Sequence, residues 1–344
     1  MTFDAVPPDS TGMLKYLATI ACMICVGTAA AGQPGRGGPA LAEQRWILKS
    51  GQAPWGTRDS AGEVVYDGKM WLLGGFTPKR VNDVWCSTDG VNWTLVTSTA
   101  PWAERNLLST VVFEGKMWVL GGINFEATRS FNDVWSSTNG KDWTRVVENA
   151  PWPARGAATA LVFEGRIWVM GGFEMADFRH FNDVWSSSDG VNWTKVTSVA
   201  PWLPRSAHTS VVYDGRMWVF GGGVYDHRHP FNTAADYSDV WFSSDGLTWR
   251  QATPAAPWTG RHFHCSVVYD DKMWVIAGYH QRNFNELWCS TDGAAWTLAP
   301  LPAWPPRHEP SCLVYRDNLW VMGGFDQVIK TMYADVWALE KVER

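Results

Sequence analysis

Charge is scarce in this sequence. Only 18% of its 344 residues are charged, and 29 basic against 34 acidic side chains leave a net charge of −5. No run of basic residues interrupts that balance, so the chain lacks the electrostatic footprint of a nucleic-acid binder. No apolar run reaches the roughly 20 residues that a membrane helix needs. Cysteine is sparse, six residues in all, and its spacing matches no zinc motif. No Ser-His-Asp order and no Gly-rich phosphate loop stands out. All eight histidines fall at or beyond His180. Tryptophan is what the chain has in excess: 24 residues, in a composition that is 46% apolar and therefore globular.

The N-terminus reads as a targeting segment. Met13-Leu14-Lys15-Tyr16 supplies one positive charge, Leu17 to Gly27 an apolar core, and Thr28-Ala29-Ala30-Ala31 a small-residue end. That order describes a signal peptide over 1–31, cut after Ala31, with translation starting at Met13 rather than in the acidic stretch before it. Residues 32–43, rich in Gly, Pro and Ala, read as a linker. The expectation is a secreted or periplasmic protein with no membrane span after cleavage. Cys22 follows Thr-Ile-Ala, a poor lipoprotein site. Cleavage leaves Cys86, Cys265, Cys289 and Cys312, all in strand-like segments. An oxidising compartment permits a disulfide among them; buried free thiols are the plainer expectation.

The tryptophans fall into four series. Trp71, Trp118, Trp168, Trp218, Trp274 and Trp320 precede a double glycine in every repeat but the fifth, at separations of 47, 50, 50, 56 and 46. Trp85, Trp135, Trp185, Trp241, Trp288 and Trp337 follow an acid by two residues. Trp93, Trp143, Trp193, Trp249 and Trp296 end a Ser-x-Asp/Asn-Gly-x-x-Trp turn, and Trp46 joins them. Trp55, Trp102, Trp152, Trp202, Trp258 and Trp304 complete the set, mostly after proline. Four per repeat over six repeats uses every tryptophan. Each repeat reads as four short strands, a to d, with Asp67-Gly68-type turns between a and b. Four antiparallel strands repeated radially make a six-bladed β-propeller over residues 44–344. The last repeat lacks a strand d. The segment around Trp46 has no blade of its own, so it should close the last blade.

A period near 50 with Gly74-Gly75, Gly121-Gly122, Gly171-Gly172, Gly221-Gly222 and Gly323-Gly324 resembles the bacterial secreted kelch-repeat β-propeller family. The fifth repeat departs from it, with Ala277-Gly278. The resemblance covers residues 44 to about 340 and implies a fold, not an activity. The Ser-x-Asp-Gly-x-x-Trp turn is similar to a sialidase Asp-box, one residue short, and is itself a structural turn.

The a–b and c–d hairpins share one face, and the b–c and d–a loops share the other. The second face varies between repeats, and its longest loop is Gly223 to Ser238. An arginine opens every strand a: Arg58, Arg105, Arg155, Arg205, Arg261 and Arg307. An acid opens every strand c, so the arginines are expected to be structural partners of those acids rather than an anion site. The Pro-Trp series is expected to pack between blades, with sugar stacking as the competing use. The histidines break the repeat, and all lie on the variable face. From them we expect a ligand site made of His208, Tyr225, His227, Arg228, His229, His262, His264, His280, His308 and Glu309. The pairs His227/His229 and His262/His264 should each project to one side of a strand. No metal or other cofactor is expected, although paired imidazoles are able to bind zinc or copper.

Two function classes follow. One is a monomeric binding module for a glycan or protein ligand on the b–c/d–a face. The other is a sugar-active enzyme: the sialic-acid mutarotase is a periplasmic kelch propeller of similar size. By that resemblance Arg307, His308 and Glu309 would supply acid–base chemistry. A copper oxidase is a weaker relative: Tyr279-His280 resembles its ligand pair, but those propellers typically have seven blades.

Overall fold

A computed structural model describes residues 43–226 and 229–342. The proposed signal peptide, the linker as far as residue 42, His227 and Arg228 lie outside the described residues, as do the side chains of Tyr225 and His229, while Glu43, the last linker residue, begins a strand. The described residues contain strands and no helix, so none is long and apolar enough to cross a membrane. Six four-stranded antiparallel sheets form the blades. Blade 1 runs Gly62–Tyr66, Lys69–Phe76, Arg80–Ser87 and Trp93–Thr97 from strand a to strand d. Strand b is buried along its length, as Met70-Trp71-Leu72-Leu73 shows, because neighbouring blades cover both its faces. Blade 6 takes Ser311–Tyr315, Asn318–Met322 and Val336–Val342 from the C-terminal end and Glu43–Ser50 as its outer strand. Trp46 pairs with Leu339 in that register. The ring is therefore tied shut by the N-terminal strand.

Each tryptophan series has one mechanical task. In strand b the indole N–H donates to the carbonyl five residues back, as Trp71 does to Tyr66 at 2.9 Å. The same ring lies against the c–d turn of the neighbouring blade. A Cβ on Gly140 would sit 2.2 Å from Trp71, and one on Gly90 would sit 2.1 Å from Trp320 across the closure. Glycine is obligatory there because the ring occupies the space a side chain would need. In strand c the indole donates to the acid two residues earlier, as Trp135 does to Asp133 at 2.8 Å. In strand d it donates to the turn glycine, as Trp143 does to Gly140 at 2.9 Å. The Pro-Trp indoles are buried and stand edge-on to strand d indoles. Trp102–Trp143 and Trp304–Trp46 meet at 89°.

The six arginines are 0–3% exposed. Arg155 makes two bonds to Asp183, at 2.6 and 3.0 Å, and a third to the Gly171 carbonyl at 2.8 Å. The same arrangement recurs in every blade, reduced to one carboxylate bond at 2.8 Å between Arg261 and Glu286. The second glycine of each pair donates to the carbonyl of the next blade's arginine, from Gly75 to Arg105 round to Gly324 and Arg58. Its φ lies between 85° and 104°, which side chains do not tolerate. The first glycine has φ near 57°, the left-handed region, where alanine is strained but possible. That is why Ala277, at φ 61°, replaces the first glycine of blade 5 and Gly278 keeps the second.

Candidate functional site

The residue two places after each arginine turns left-handed. Ser60, Leu107, Ala157, Ala207, Phe263 and Glu309 have φ from 49° to 54°. Each donates its N–H to the carbonyl of its counterpart in the preceding blade, at 2.8–3.2 Å. The six bonds close into a ring, because Ser60 donates to Glu309. Below this neck, among the innermost strands, lies a channel of about 230 Å3. Above it, on the b–c/d–a face, lies a cavity of about 560 Å3. Leu107, Phe263 and Glu309 line both.

Six phenylalanines line the cavity: Phe76, Phe125, Phe173, Phe178, Phe263 and Phe325. Three of them directly follow the second glycine of a blade, so the backbone turn that locks blades together also aims these rings inward. Leu107 and Met332 extend the apolar wall. Arg80 is held between the faces of Phe76 and Phe125, with its guanidinium carbon 4.6 and 4.8 Å from the ring centres. It bonds Asn106 at 3.3 Å and pairs with Glu126. Lys330 reaches the cavity from the loop whose tip, Val328 and Ile329, is exposed.

The polar wall comes from blades 6 and 1, which meet at the closure. Ser60 Oγ lies 2.8 Å from Asp59 Oδ1 and 2.6 Å from Glu309 Oε2. A hydroxyl has one proton and can donate to only one of the two oxygens. The other contact needs a proton on a carboxyl, and Glu309 also bonds Asp59 directly. The pair thus shares a proton, which the charge of Asp59 favours on Glu309, and Asp59 is the carboxyl that ionises first. Burial, reinforced by the charge of Asp59, raises the Glu309 carboxyl well above its usual range. Burial raises Asp59 to about 7, although its hydrogen bonds to Ser60 and Glu309 and the charge of Arg80 oppose the shift. In the channel beneath, burial raises Glu63 to about 8.

The sequence-predicted residues whose side chains are described divide into three groups. His308 and Glu309 line the cavity. His308 bonds Asn283 at 3.3 Å and stacks on Phe263 at 5.8 Å, and burial lowers it to about 3, so it stays neutral. His262 and His280 stand beside the cavity, joined by one buried carboxylate. Asp236 accepts from Nδ1 of both, at 2.6 Å each, which fixes the tautomer of each ring. His208 and His264 belong to neither cluster. Their rings pack against the first glycines Gly171 and Gly221, and His264 meets Thr209 at 2.9 Å. Burial holds His208 well below its usual pKa and His264 at about 3. The expected one-sided pair His262/His264 is split because Phe263 between them is left-handed, which breaks the alternation of an extended strand. His227 and Arg228 lie outside the described residues; for Tyr225 and His229 only the backbone is described, in the ribbon Gly223–Asp226 with His229–Asp236.

Arg307, assigned with His308 and Glu309 to acid–base chemistry, is instead bonded to Asp335 at 2.6 and 2.9 Å and fully buried. Asp59, Ser60, Asp236 and the phenylalanines are the residues that sequence reasoning passed over. Among the described residues no group of three or more His, Cys, Asp or Glu side chains is placed to hold a metal ion, and the four cysteines are free thiols.

The KLHDC2/KLHL20/DRC7 kelch-repeats domain matches residues 42–222 and 191–344. The chain belongs to the kelch-repeat family. Among solved structures, this kelch propeller is similar to that of YjhT, with a TM-score of 0.68 at 14% identity, over 83% of this chain and 96% of that one. At that identity the likeness speaks for the fold alone. No curated protein matches the chain.

Proposed function

We propose that this kelch propeller is a binding module that takes a protein ligand on the b–c/d–a face, seating an apolar group of the ligand in the phenylalanine-lined cavity. The observation that carries the reading is the cavity itself: about 560 Å3, with six phenyl rings and a short polar wall. That size and lining suit an anchored apolar group. Of the two ligand classes expected from sequence, a glycan is the less suited. Phenyl rings give its hydroxyls no hydrogen bonds, and the Pro-Trp indoles, the rings a sugar would stack on, are 1–4% exposed. A sugar-active enzyme is disfavoured too, because Asp335 occupies the arginine that would act beside Glu309.

The test is a parallel screen of the purified protein against a displayed peptide library and a glycan array. The expected result is peptides sharing an apolar anchor, displaced by 2-phenylethanol and not captured by the Phe178→Ala variant. Glycan binding that survives Phe178→Ala, with no peptide selected, would overturn the reading.

A further inference from the structure

We propose that the group seated in the cavity is an organic ammonium, held by the Asp59 carboxylate and the surrounding phenyl faces. This rests on the cavity being the binding site, as argued above, and adds the charge of what enters it.

The argument is one of unbalanced charge. Asp59 is 6% exposed and lines the cavity. Its contacts through Ser60 require a proton on one of the two carboxyls, and the charge of Asp59 favours that proton on Glu309, so Asp59 is the carboxyl that ionises, above about pH 7. Among the described residues no cation lies within ion-pair distance of either carboxyl. Arg80, from blade 1, is committed to Glu126 and Asn106. His308, from blade 6, is neutral and bonded to Asn283. Lys330 lines the cavity from the blade 6 loop but pairs with neither carboxyl. A desolvated carboxylate with no cation in ion-pair contact is costly, and burial outweighs the more distant charge of Arg80 in raising its pKa. A ligand that brings a positive charge removes the cost. Phenyl faces favour the same charge through their quadrupoles. A carboxylate ligand would meet Asp59 with like charge, and a neutral one would leave it uncompensated.

Three probes separate these cases, since they share a ring and chain and differ in charge: 2-phenylethylammonium, 2-phenylethanol and phenylacetate. Calorimetric titration of the full chain at pH 8 should rank the ammonium about tenfold tighter than the alcohol, with phenylacetate weakest. Asp59→Asn should bring the ammonium's affinity down to that of the alcohol. Glu309→Gln, whose amide can still donate to Asp59, should keep the advantage. The wild type should lose about tenfold of its ammonium affinity between pH 8 and pH 6, as Asp59 takes up a proton near 7, while the alcohol is unaffected. This pH comparison stands even if a variant fails to fold. Equal affinity for ammonium and alcohol, or tightest binding of phenylacetate, would overturn the charge assignment and leave the apolar cavity standing. If none of the three binds, both fall.

Discussion

Two sets of residues sit side by side in each blade and differ in kind. The buried arginine at the start of strand a is the same in all six blades, and so is its acid partner, Glu286 excepted as a longer acid. No two blades carry the same pair after it: Asp59-Ser60, Asn106-Leu107, Gly156-Ala157, Ser206-Ala207, His262-Phe263 and His308-Glu309. The backbone of the second set is as regular as the side chains of the first, since all six neck residues share one φ and one closed ring of bonds. Packing therefore dictates the arginine but only the conformation of its successors. That freedom lets blades 2 to 4 present small and apolar groups to the neck while blades 5, 6 and 1 gather imidazoles and carboxyls.

If the constant set holds the ring together, breaking it should cost most. Deleting Glu43–Ser50 strips blade 6 of its outer strand and Trp304 of its partner Trp46. The melting temperature should fall by more than about 10 °C, since one kcal/mol is worth roughly 2–4 °C in a domain of a few hundred residues. Arg155→Ala comes next. It leaves the Asp183 carboxylate buried without its cation, at a cost of roughly 3–5 kcal/mol, and denaturant unfolding should show it. Binding of 2-phenylethanol at 4 °C should be unchanged in that variant. Lost binding at unchanged stability would move the arginines into the site.

The variable set should behave in the opposite way. Phe178 is half-buried at the cavity wall. Phe178→Ala should change stability by less than about 1 kcal/mol, as partly exposed positions usually do, and weaken 2-phenylethanol binding several-fold. A large loss of stability with intact binding would erase the distinction between the two sets.

The smallest effect is a slope with pH. Glu63 titrates near 8 and Asp59 near 7 in the folded chain, above their unfolded values. The folded state thus holds more protons than the unfolded state from about pH 4.5 upwards, and stability falls as pH rises towards 8. His264 and His308, lowered to about 3, act from the other side: stability falls as pH drops below about 6.5. Glu63→Gln should flatten the alkaline slope measured by thermal unfolding and leave the acid slope intact.

The propeller was legible because its constraints repeat. Four tryptophans per blade and an unpaired Trp46 led to six blades and to their closure. The arginine–acid pairing was legible for the same reason. The cavity was not, because it depends on what the repeat leaves free. Asp59 and Glu309 are 250 residues apart and meet only once the ring has closed. Asp236 joins His262 to His280 from a loop whose length follows no period. Phe263 took a conformation that no alternation rule anticipates, and so separated His262 from His264. One signal was available: Phe76, Phe173 and Phe325 each directly follow a double glycine, and an apolar ring there faces the end of the channel.

The central claim is that the variable residues around the neck build one ligand site above it. It is tested most directly by 13C-methyl NMR of the methionines. Met332 lines the cavity, whereas Met70, Met117, Met217 and Met273 lie fully buried in strand b of their blades. Added 2-phenylethylammonium should shift the Met332 methyl saturably and leave the other four unmoved. Shifts confined to the strand b methionines, or none at Met332 up to saturation of binding seen by calorimetry, would contradict the account.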